Sequence, residues 1–138
     1  MFKDEKGNVI ITTPIITIAM FFIICITIVA SIEIIKPFVV YEKISSIALK
    51  YIFIMEEYGC LNDIERNNLI NELEDKGLDR SKLIISGDTV RRDYGEIIKL
   101  RIEYQYLTKL YSTIDNFKLD KKELEIPIVI EKTSFSKI

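Results

Sequence analysis

Val9–Ser31 reads VIITTPIITIAMFFIICITIVAS, 23 residues without a charge. A helix rising about 1.5 Å per residue over that length spans a hydrocarbon core of roughly 30 Å. The charge gap is wider than the quoted stretch: none occurs between Lys6 and Glu33, 26 residues. The other 112 of the 138 residues carry all 40 charges, 19 basic and 21 acidic. The positive mean hydropathy therefore reflects one segment. This excludes an ordinary soluble single domain as the first reading. No second such stretch exists, which excludes a polytopic channel or transporter. One membrane-type segment and one modest extramembrane domain remain.

Breaks in the segment are mild. Thr12, Thr13, Thr17 and Thr27 can return their hydroxyls to the preceding turn, and Pro14 lies where its missing N–H costs least. A secretory signal peptide is the competing reading. Its apolar region runs about 7–15 residues, shorter than this one, and Ile28 is a poor residue three before a cut after Ala30. A retained anchor is the expectation. Charge does not fix its orientation: Lys3 and Lys6 precede it, offset by Asp4 and Glu5, and Lys36, Lys43 and Lys50 follow it.

Beyond the segment, Ile44, Ile47, Ala48, Tyr51, Met55 and Tyr58 share one helical face. Pro37 predicts a kink or short break near Ile35–Lys36. The stripe packs against the following domain, against other subunits, or both. Gly59-Cys60 ends this stalk. Asn62 with Glu65 resembles a capping box, and Gly77 stops the short helix that follows. From Tyr51 to Ser81 three basic and eight acidic residues give a local charge of −5, read mainly as a solvated helix face.

The period then changes. Lys82–Ser86 is a strand candidate before the Gly87-Asp88 turn. Ile98, Leu100, Ile102, Tyr104 and Tyr106 alternate with polar residues, the clearest strand in the chain. Thr108–Lys122 reads as a long irregular connection with room for a short extra strand. In Leu124–Thr133, Ile126, Ile128 and Ile130 share a face, and Pro127 predicts an edge position or a bonding gap. Ser134–Ile138 reads as a frayed tail. The fold class is α+β: a long N-terminal transmembrane and stalk helix, a short helix, and a small antiparallel sheet of about three strands. The expected organisation is a polar leader over 1–7, a transmembrane helix over 8–32, an amphipathic stalk over 33–58 and a small extracytoplasmic domain over 59–138.

Candidate chemistry is sparse. The chain has no histidine, so the commonest general base and metal ligand is missing. No GxSxG, SxxK or P-loop pattern occurs. Ser81-Lys82 and Ser136-Lys137 point to opposite strand faces. Glu56-Glu57 and Glu74-Asp75 diverge by about 100° on a helix. Asp88 and Asp93 lack the dense spacing of a calcium loop. Cys25 and Cys60 are isolated. With a net charge of −2, no basic field invites nucleic acid. The expectation is no enzyme, no cofactor, no metal and no small-molecule substrate.

A polar start, Met1-Phe-Lys-Asp-Glu-Lys-Gly7, leads at once into an apolar helix, a stalk and a small α+β domain. That order resembles the type IV pilin-related proteins, most closely the TadE-like pseudopilins of tight-adherence systems. The resemblance covers residues 1–40 and the general layout. It implies a cut at Gly7–Asn8 by a cytoplasmic prepilin peptidase, with Lys3 and Lys6 holding the leader inside. It also implies partners: the membrane, and a homo- or hetero-oligomer with other pilin-like subunits. Thr12 and Pro14 are the residues it brings to bear on assembly. Thr12 stands fifth after the cut, where the family carries a glutamate that pairs with the new N-terminal amine. Pro14 lies earlier than the family's proline. Two alternatives stand beside this expectation: an uncleaved structural anchor of a conjugation or cell-envelope complex, and a secreted module cut after Ala30.

Overall fold

The computed structural model describes residues 3–114 and 118–138, and side chains over 11–109 and 123–138. It divides into two compact units, Met1–Lys36 and Pro37–Ile138. Helix α1 covers Lys3–Tyr58, helix α2 covers Asp63–Asp75, and a 3-10 turn at Arg80–Lys82 precedes three strands. These are β1 (Leu83–Gly87), β2 (Ile97–Ile114) and β3 (Lys118–Phe135), antiparallel in the order β1-β2-β3. The fold is the α+β arrangement read from the sequence.

The first unit is helical, and its large apolar residues from Ile11 to Ile35 are exposed. Its hydroxyls return to the turn before: Thr17 Oγ1 donates to the Thr13 carbonyl (2.9 Å), Thr27 Oγ1 to Ile23 (2.8 Å) and Ser31 Oγ to Thr27 (2.7 Å). Of the kink or short break expected near Ile35–Lys36, the break does not occur: α1 runs through Pro37. Its missing N–H removes only the bond to the Glu33 carbonyl, and long helix on both sides sustains the rest.

In the second unit, the last turns of α1 belong to the domain core. Ile44, Ile47, Ala48, Tyr51, Ile52 and Met55 are buried in one cluster with Leu69 and Leu73 of α2 and with Ile85, Ile98, Leu100, Ile102, Ile128 and Ile130 of the sheet. Tyr58, expected on this stripe, is exposed, and Ile52 takes part instead. Both helix ends use glycine in the left-handed region. At Gly59 (φ 73°) the N–H donates to the Met55 carbonyl at 2.7 Å. At Gly77 (φ 90°) the paired bonds Gly77 N to Glu74 O (2.9 Å) and Leu78 N to Leu73 O (3.2 Å) form a Schellman motif, with Leu78 buried. Asn62 caps α2 through Oδ1, which accepts from Glu65 N at 2.8 Å.

The sheet buries the even β2 positions from Ile98 to Tyr104, and Thr108, with Tyr106 half-buried. Rows Leu83–Tyr104–Ile128 and Ile85–Ile102–Ile130 cross all three strands on the core side. Thr108–Lys122, expected as an irregular connection, is instead mostly ladder: β2 runs to Ile114, β3 starts at Lys118, and pairing is continuous between them. The backbone of 115–117 and the side chains of 110–122 lie outside the described residues, so the apolar residues noted there receive no placement. The tail is also ordered by bonds rather than frayed. Ser136 is buried and pairs with Glu96, and Lys137 N donates to the Glu56 carbonyl at 2.9 Å.

Candidate membrane-assembly helix and the polar clusters of the domain

α1 carries every residue that the sequence singled out for processing or assembly. Gly7 and Asn8 lie in its first turns, and their side-chain surroundings fall outside the described residues. Thr12 and Pro14 are exposed on it. Between Ile11 and Ile32 the helix has no charge and offers isoleucine, phenylalanine, methionine and valine on all sides; Ile15, Phe21 and Ile26 are each more than half exposed. An amphipathic surface helix would hide one face. A helix apolar all round is stable when lipid or other apolar helices surround it. α1 is the one described helix long and apolar enough to cross a membrane.

The domain's polar clusters are built for closure. Glu56 is buried at the end of α1, where Ser134 Oγ donates to Oε1 and Lys137 Nζ pairs with Oε2. The Lys137 bond, then the Ser134 bond, hold the Glu56 carboxyl below its ordinary value. Ser136 Oγ donates to the Arg92 carbonyl at 3.0 Å. Glu57, the neighbour of Glu56, is exposed, as the divergence of adjacent helical side chains requires.

A second cluster joins α1 to α2. Lys50 Nζ pairs with Glu72 Oε2 at 2.9 Å and lowers the Glu72 value. Burial, reinforced by Glu72, pushes the Tyr51 hydroxyl up to about 12. A third organises the loop before β2. Asp88 Oδ1 accepts from Arg92 Nη2 (3.0 Å) and Oδ2 from Lys99 N (2.9 Å), while Asp93 N donates to Glu96 Oε2 (3.0 Å). Asp88 therefore spends both oxygens on protein donors. Among the described residues no group of three His, Cys, Asp or Glu side chains could hold a metal. Cys25 and Cys60 are free and half-buried.

Sequence reading missed Glu56, Ser134, Ser136, Lys137 and Arg92 as a unit. The available signal was the helical position of Glu56, four residues after Ile52 on the buried side. Comparison of the chain with family models, curated proteins and solved structures yields no match.

Proposed function

We propose that this chain is a single-pass membrane subunit of pseudopilin type, serving the assembly of a pilus or secretion machine rather than a reaction. The observation that supports this most is α1 itself. Its first part is charge-free and exposed all round, and its last turns are core to a small α+β domain. A helix of that kind can rest in lipid and can pack against copies of itself or related subunits when drawn from it. In this reading the N-terminus is cytoplasmic, the domain is extracytoplasmic, and a prepilin peptidase cuts Gly7–Asn8.

The test is the mass of the mature chain. An N-terminus at Asn8, lost in Gly7→Ala, is the expected result. An intact Met1 in the membrane fraction defeats the processing claim and favours the uncleaved anchor. One observation favours that second reading: Thr12 stands exposed and neutral where the family's pairing carboxylate belongs. A mature chain starting at Ser31 and recovered outside the membrane overturns both.

A further inference from the structure

The three strands treat their edges differently, and hydrogen-bond parity shows how. Lys99 N donates to Asp88 Oδ2 (2.9 Å), and its carbonyl accepts from Asp88 N (3.3 Å). Lys99 thus turns its main-chain groups toward the β1 side. The Glu96 carbonyl accepts from Ser136 N at 2.9 Å, so even-numbered residues turn toward β3. Main-chain groups alternate sides along a strand. The β2–β3 register runs unbulged from Ile97↔Phe135 to Ile114↔Lys118, so the parity holds throughout.

β1 pairs only with Leu100–Tyr104. Among the described residues no strand pairs with the N–H and C=O groups of Gln105, Leu107, Lys109, Tyr111 and Thr113. The other two edges are blunted. β1 turns Leu83, Ile85 and Gly87 outward, and Arg66 Nη2 donates to the Ile85 carbonyl at 3.3 Å. β3 turns its odd residues outward, which places Pro127 there in a segment that carries Lys121, Glu123 and Glu125. A proline and charges discourage strand addition. The β2 edge has no proline and no glycine, and Lys109 is its sole charge from Gln105 to Ile114.

We infer that this open edge of β2 pairs antiparallel with the same edge of a second copy of the chain, joining two sheets into one. The segment is its own complement. A two-fold centred at Leu110 sets Tyr106 opposite Ile114, Leu107 opposite Thr113, Thr108 opposite Ser112 and Lys109 opposite Tyr111. Odd opposes odd and even opposes even, so the buried faces of both sheets stay on one side. No like charges meet. A centre at Lys109 would oppose two lysines, which is unfavourable. This pairing is independent of whether Gly7–Asn8 is cut.

The test is site-resolved amide exchange on the full chain in detergent micelles over a concentration series. Tyr106 and Thr108, bonded to β3, exchange slowly throughout. Leu107, Lys109, Tyr111 and Thr113 exchange fast when dilute and slow by at least about tenfold when concentrated. Lys109→Pro removes one open-edge donor and no bond to β3, and abolishes the slowing at the other three; Lys109→Ala retains it. Should Lys109→Pro also lose protection at Leu100 and Ile102, the unmodified chain alone decides. Fast exchange of those four amides at every concentration overturns the inference, even if dimers form, because another surface then joins them. Slow exchange at every concentration overturns it too when the chain sediments as a monomer, because the chain then covers its own edge; from a dimer the same result, lost in Lys109→Pro, supports it.

Discussion

Gly59 serves two demands at once. Its φ of 73° lies in the left-handed region, and a Cβ there would stand 2.7 Å from the Arg92 carbonyl oxygen and 3.2 Å from Arg91 Cγ. Arg92 N donates to the Gly59 carbonyl at 2.9 Å, so the backbone approach is fixed from both sides. Gly77 shares the conformation, at φ 90°, but a Cβ there meets nothing within 4 Å. Conformational strain alone therefore sets the cost of Gly77→Ala, about 1–2 kcal/mol. Gly59→Ala adds backbone displacement and loses about 2–5 kcal/mol in total. Chemical unfolding of both variants checks this; equal losses would show that the Arg92 contact yields freely. The sequence marked both glycines as helix stops through their position after a polar or apolar run. The second demand on Gly59 was illegible, because Arg92 is remote in the chain and nothing local reports it.

Between Ile44 and Met55, α1 presents one face to the domain core and the other outward. Met55 is fully buried and Phe53 is 53% exposed, two positions apart. Met55→Ala should cost about 2–5 kcal/mol of domain stability, and Phe53→Ala should stay within about 0.5 kcal/mol. Thermal or denaturant unfolding of the two variants separates the faces. Helical spacing made this stripe readable, because burial against a single domain imposes the period of 3.6. Strand β2 was readable from Ile98 to Tyr106 for the matching reason: one face is buried and the other wet. The signal ended near Thr108, where Thr108-Lys109-Leu110-Tyr111-Ser112-Thr113 no longer alternates. A two-stranded arm is held by its ladder to β3 and does not require alternation there, so pattern reading mistook it for a connection. The membrane-type helix was the most legible part of the candidate site, since composition alone defines it. The Glu56 cluster was hidden, because Ser134 is 78 residues away from Glu56 in sequence.

Across the whole chain, Glu56 ties the end of α1 to the end of β3. The bonds from Lys137 and then Ser134 hold its carboxyl below the ordinary glutamate value in the folded chain. Such a group contributes stability that is fully present above the unfolded value and is lost as pH falls through the folded one. Glu72, lowered chiefly by Lys50, acts in the same direction. Unfolding free energy should therefore decline on acidification below about pH 4.5, and less steeply in Glu56→Gln, which lacks the titrating carboxyl. Denaturant midpoints measured across that range test the claim; identical acid limbs would remove Glu56 from it. The shared helix also governs how the chain can be divided. Among the described residues, six of the seventeen buried apolar side chains lie before Gly59. A fragment beginning at Gly59, the visible seam between helix and domain, would leave its sheet without a lid and collapse or aggregate. A fragment beginning at Pro37 keeps every one of those six. The shortest stretch that retains the whole described core is then the domain together with α1 from Ile44 onward. Any other segment put in place of the first part of α1 must therefore be joined upstream of Ile44.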